Sequence, residues 1–142
     1  MLSWLRLRMA RPPTRRLSRA RAQELDIEIS FYEGLTKDGT VFPEALELLG
    51  DASDERGRFG DSLRVDHQLR ELNPTDPLVR YNLACSLTRT GEFEQAATEL
   101  EQALELGYPD AQKLQADPDL EDLRSHPAYR RVREKLRHLK RP

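Results

Sequence analysis

The chain has 142 residues, enough for one domain with a core of moderate size. Hydrophobic residues make up 37% and charged residues 34%, so exposed faces are many and the core is thin, as in an elongated helical array. One cysteine excludes an internal disulfide framework and gives no reason to invoke an oxidising compartment, and no apolar run approaches the roughly 18 residues of a membrane span.

The net charge of −2 conceals a segregation. Residues 1–23 carry seven arginines and no acid, 24–123 sum to −16, and 124–142 sum to +7. The first block, 1–23, reads as a basic, disordered tail. Its Leu/Trp-bearing start is broken by Arg6 and Arg8 and lacks the apolar run of a secretory signal. Its arginine-rich, acid-free character is also that of a transit peptide or membrane-surface anchor. Pro12-Pro13 interrupts any helix that starts before it.

Residues 24–42 contain one helical stripe, Leu25, Ile27, Ile29, Phe31, Tyr32 and Leu35, which reads as the second helix of a partial repeat. From Pro43 onward a period of 34 appears. Aligning 43–76 with 77–110 gives eight identities: Pro43/Pro77, Leu49/Leu83, Gly57/Gly91, Phe59/Phe93, Gln68/Gln102, Glu71/Glu105, Leu72/Leu106 and Asp76/Asp110. Chance at ordinary residue usage gives roughly two. Each unit reads as two helices around a glycine turn. In the first, Leu46, Leu49 and Ser53 form one stripe, and Phe59, Leu63 and Leu69 the next. In the second the stripes are Leu83, Ala84 and Leu87, then Phe93, Ala96, Ala97, Leu100, Ala103 and Leu104. A glycine just past a helix end fits a left-handed C-terminal cap, and Asp76 can cap the helix that follows it. Residues 111–142 leave the period. There Leu120, Leu123, Tyr129, Val132, Leu136 and Leu139 are placed to cover the apolar end of the array, and the acids at 117, 119, 121 and 122 to cap helix starts. The expected fold is all-α, a solenoid of antiparallel helix pairs with about seven helices.

The stretch from Tyr81 to Ser86, the spacing Gly91-x-Phe93-x-x-Ala96, and Ala103 to Tyr108 resemble the tetratricopeptide-repeat (TPR) family. The first unit resembles it less closely, with Ser53 and Ser62 at positions where the family prefers larger or apolar residues. In the second, Arg80 stands where a tryptophan or other large apolar side chain is usual. The resemblance covers 43–110, and the ending is similar to the leucine-rich segment that closes some bacterial TPR proteins. It implies a protein-binding adaptor whose first helices line a concave groove. The residues it places there are Glu44, Glu47, Leu48, Asp51, Asp54 and Glu55 in the first unit, and Leu78, Tyr81, Asn82, Cys85, Thr88 and Arg89 in the second. A carboxylate clamp of the co-chaperone kind is disfavoured, since Glu47 and Leu78 stand where its lysines would be. A basic or neutral peptide is the expected ligand, and the +7 tail is a candidate to fold back onto the acidic groove.

No arrangement of His67, His126 and His138 has metal-ligand spacing, and no glycine-rich phosphate loop occurs. Cys85 in mid-helix reads as a small packing residue. The reading is therefore non-enzymatic, with no catalytic, cofactor or metal residue expected and a cytoplasmic location. The competing reading is a membrane-surface or nucleic-acid tether acting through residues 1–21 and the basic last helix. The acidic body and the scarcity of aromatics among the basic residues speak against nucleic acid. Two full repeats lie near the lower limit for a stable array, so an oligomer or a permanent partner is an open expectation.

Overall fold

The computed structural model describes residues 16–40 and 42–140. Ser18 opens the first helix: its hydroxyl accepts the Arg21 backbone N–H at 3.1 Å. Helix α1 (Arg19–Thr36) follows. It thus begins inside the stretch read above as a disordered tail, and the boundary moves from 23 to 18. Residues 19–23 carry helix-favouring Ala20 and Ala22 behind a capping serine, and their charge content hid this. The segment before Arg16 lies outside the described residues.

Then come α2 (Pro43–Arg56), α3 (Phe59–Leu72), α4 (Pro77–Arg89) and α5 (Phe93–Glu105). The 34-residue period is realised in geometry. Pro43 and Pro77 both sit in the first turn, where a missing N–H costs nothing. Gly57 and Gly91 both adopt left-handed backbone, at φ 85° and 80°. At each, the residue after the glycine donates its N–H back to the preceding helix: Arg58 to Ser53 O at 2.8 Å and Glu92 to Leu87 O at 2.8 Å. This closure satisfies the helix's last carbonyls and turns the chain into the next helix. Asp76 and Asp110, again 34 apart, accept the backbone N–H of Leu78 and Lys113, each at 2.9 Å.

The last third contains α6 (Ala111–Ala116), a 3-10 turn (Pro118–Leu120), α7 (Glu121–Arg124) and α8 (Tyr129–Leu139). Among the described residues there are eight α-helices, one more than expected, and no strand. Helix α6 starts where a third repeat would start. It stops after six residues because Asp117 is extended and Pro118 follows it.

Successive helices pack as neighbours from α1 to α5, and α8 then packs on α5. Two apolar clusters result. One joins Leu25 and Ile29 of α1 to Leu46, Leu49, Ala52, Val65, Leu69 and Val79. The other joins α4 and α5 to Leu114, Leu120, Leu123, Tyr129, Val132 and Leu136. The expected cover over the end of the array is therefore present, except that Leu139 remains 56% exposed. On α1, Ile27, Phe31 and Leu35 also face outward, so only part of its expected stripe is core. Among the described residues no helix is long and apolar enough to cross a membrane.

Candidate functional site

On α2, Glu44, Glu47, Leu48, Asp51 and Glu55 recur at spacings of three and four and share one helical face. Glu44, Asp51 and Glu55 are exposed, Glu47 is half-buried, and Leu48 is 48% exposed in their midst. The result is an acidic row around one apolar side chain. Arg21 shows how the row receives a cation: its Nε and Nη2 each reach a Glu55 carboxylate oxygen at 2.8 Å, a two-pronged pairing. Glu24 and Glu28 flank the same guanidinium at 3.1 and 3.4 Å. Beside the row, Arg56 and Arg58 bracket Asp26, and hydrogen bonding to Arg56 holds its carboxyl below the usual carboxylate range.

Asp54 behaves differently from its neighbours. It is buried and accepts from Arg89 Nη2 at 2.9 Å. Arg89 also pairs with Asp119 at 3.1 Å, bonds Ser86 Oγ at 3.2 Å and lies 5.3 Å from the Phe59 ring centre. One guanidinium thus ties α2, α3, α4 and the 3-10 turn together. Beneath it Ser86 donates to buried Asp66, a contact between α4 and α3.

The α4 residues expected to line the groove are covered. Tyr81, Asn82, Cys85 and Thr88 are 2%, 5%, 6% and 3% exposed. The cover is the 3-10 turn and α7, which pack directly on α4. Tyr81 donates its hydroxyl to Asp117 at 2.5 Å, and its ring stacks on Tyr108 with centroids 4.4 Å apart. Burial pushes the Tyr81 phenol far above its ordinary pKa and that of Tyr108 up to about 12. Of the twelve groove residues expected, Tyr81, Asn82, Cys85, Thr88 and Arg89 are therefore structural, Leu78 is half-buried between the two clusters, and Asp54 is an interior partner of Arg89. The exposed remainder, Glu44, Leu48, Asp51 and Glu55 with half-buried Glu47, is all on α2.

Cys85, Asp117 and Asp119 bring a thiol and two carboxylates within 4.8 Å of one another. Three donors at that distance are the minimum for a metal ion. Here, though, Asp117 already accepts the Tyr81 hydroxyl and the Asp119 backbone N–H at 3.0 Å, and Asp119 neutralises Arg89. A cation beside the cluster works against a second one.

Arg80, which departs from the resembled family, is explained by partners distant in sequence. Its Nη1 pairs at 2.9 Å with Glu99, which is 6% exposed, while Arg70 pairs with the other Glu99 oxygen at 2.7 Å. Arg80 Nε also donates to Pro74 O at 3.0 Å. An arginine–glutamate–arginine bridge across α3, α4 and α5 fills the place of a large apolar side chain. The sequence signal was available: an arginine in a core register, with an acid also in a core register on the next helix.

The repeat-equivalent phenylalanines each meet a side chain of the following unit. Phe59 lies under Arg89, and Phe93 stacks on the His126 imidazole at 4.6 Å.

No family model matches the chain, and no solved structure matches it. A stretch of 73 residues, 49% of the chain, is 30% identical to a chloroplastic protein of Arabidopsis thaliana. The match covers 22% of that protein, so the chain spans less than a quarter of this relative's length.

Proposed function

We propose that the chain is a protein-interaction module of the TPR type, whose ligand is a basic peptide or protein segment received along the acidic row of α2. The observation that carries this is the row itself: Glu44, Glu47, Asp51 and Glu55 around the half-exposed Leu48. The Arg21–Glu55 pairing supports the charge preference, because a guanidinium already sits two-pronged on a member of the row. The left-handed glycines at 57 and 91 and the prolines at 43 and 77 support TPR membership, since they repeat in structure at the spacing the family requires. The chain acts as an adaptor, without catalysis of its own. We place it in the cytoplasm, where its single buried cysteine stays reduced.

The test is titration of the full chain with a labelled arginine-rich peptide at low and physiological salt. In E47Q/D51Q the affinity should fall by about tenfold, roughly 1.4 kcal/mol from two partly solvated pairs. It should fall in wild type too as salt rises. An affinity unchanged in E47Q/D51Q sinks the assignment of the row. Removing residues 1–15 asks separately whether the tail competes. A cut at Gln23, which the sequence alone would suggest, would destroy the first turn of α1.

A further inference from the structure

We propose that the cleft between α7 and α8 is a binding site for a phosphate-bearing anion with at least two negative charges. The cleft has a volume of about 380 Å³, within the range of small-ligand sites. Arg124, Arg133, Arg137 and Lys140 line it with Gln115 over a floor of Tyr129 and Leu136, and among the described residues no carboxylate contributes to its wall.

Along α8 and its C-cap Lys140 the cations part into those with acid partners, among them Arg130 with Glu134 on the same helix, and those that line the cleft. Arg131 turns to α5, pairing with Glu94 at 3.2 Å and Glu101 at 3.4 Å, and Lys135 pairs with Glu105. These are structural contacts that dock the last helix. Arg133, Arg137 and Lys140 recur at spacings of four and three and point along the other flank, in register with Tyr129. Across the cleft, Arg124 is anchored by donating Nη1 to Leu114 O at 3.2 Å. Arg133 is held with its guanidinium carbon 5.4 Å from the Tyr129 ring centre. Two of the four cations are thus positioned before any ligand arrives, which lowers the ordering cost of binding.

Four like charges around one cavity repel one another, and a polyvalent anion relieves all four contacts together. A single carboxylate would neutralise one cation and leave three. A phosphate or pyrophosphate group offers several oxygens to the planar guanidinium forks and a point contact to the lysine. The buried Tyr129 and Leu136 provide an apolar wall for whatever carries the phosphate. The site is distinct from the acidic row of α2 and opposite to it in charge.

The experiment is titration of the isotopically labelled full chain with inorganic pyrophosphate, read by amide chemical shifts, at about 50 mM salt, where screening is weak. Shifts should concentrate in residues 124–140. In R133Q/R137Q the affinity should drop at least tenfold. In R130Q, which removes a charge from the same helix outside the cleft, it should change by less than about twofold. Vesicles of phosphatidylcholine with about 10% phosphatidic acid distinguish a lipid headgroup from a soluble phosphate. Vesicle binding that pyrophosphate competes away assigns the headgroup, and pyrophosphate binding without vesicle binding assigns a free ligand. Absence of both, or equal loss in R130Q and R133Q/R137Q, overturns the proposal.

Discussion

Replacing Arg89 with methionine keeps the length of the side chain and removes its charge. In the native fold the guanidinium joins two carboxylates from different elements, Asp54 on α2 and Asp119 in the 3-10 turn. The side chains of all three are between 12% and 15% exposed. Removing one partner of such a pair leaves charge in a poorly solvated place, which costs about 3–5 kcal/mol when burial is complete. The residual exposure puts the expected loss near the lower end, about 3 kcal/mol, or a Tm lower by roughly 10 °C for a chain of this size. R89K should lose less, because it keeps the charge, yet one ammonium cannot present a fork to both acids. The triple variant R89M/D54N/D119N should recover more than half of the loss, since no uncompensated charge remains. Urea unfolding followed by circular dichroism measures all three. An R89M chain within about 1 kcal/mol of wild type would refute the view that Arg89 is a structural joint. It would return this residue to the role of a ligand contact.

Two further outcomes follow from the same interior. Burial keeps the phenols of Tyr81, Tyr108 and Tyr129 protonated above their ordinary pKa, so above pH 10 the unfolded chain binds fewer protons than the fold. The phenols' contribution to stability should therefore be flat below pH 10 and fall as pH rises beyond it, by up to about 1.4 kcal/mol per unit for each phenol, with Tyr108 saturating near about 12. Urea midpoints between pH 8 and 11.5 check this, and Y108F should show a shallower decline; a midpoint constant through pH 11 contradicts it. The Arg70–Glu99–Arg80 bridge should behave as a buried ion cluster: E99L alone should cost about 2–3 kcal/mol, and R80L/E99L should return to within about 1 kcal/mol of wild type. A double variant no better than E99L would show that the bridge has no apolar equivalent.

The paired helices were legible because their signals are local. A glycine, a proline or a capping aspartate acts within one turn, and the 34-residue spacing repeats those signals. Gly57 and Gly91 accordingly stand at the same left-handed turn. The start of α1 was not legible, because charge composition outweighed a one-residue cap at Ser18. Nor was the fate of the second-unit groove. Nothing between 77 and 110 announces that the chain returns 36 residues after Tyr81 to offer Asp117 to its hydroxyl. The acids of 117–122 fit helix caps, and Asp117 does accept the Asp119 N–H, but a cap says nothing of the surface the segment lies on. The acidic row of α2 was legible as composition. Which of its members stay exposed depended on Arg89, the reach of one long side chain.

The array is thus asymmetric. Its first unit presents the outward face of α2, while the second has the matching face of α4 sealed by the chain's own 117–124 segment. Whether that seal is permanent can be read from Cys85, the chain's one thiol, which is buried beneath Asp117 and Asp119. Alkylation of Cys85 requires the segment to lift, so its rate reports the opening of that segment alone if opening is local, or of the whole fold if it is global. The segment is held to α4 by Tyr81–Asp117, by Arg89–Asp119 and by buried Leu120 and Leu123. D117A removes the first of these and the cap of the 3-10 turn, a loss of about 2 kcal/mol concentrated in the segment. Local opening predicts alkylation about thirtyfold faster in D117A at a small shift of the global urea midpoint. Alkylation that rises only as far as the change in global stability would mean that the seal opens with the whole fold. In that case the face of α4 is core throughout, and among the described residues the exposed acidic row belongs to the first unit alone.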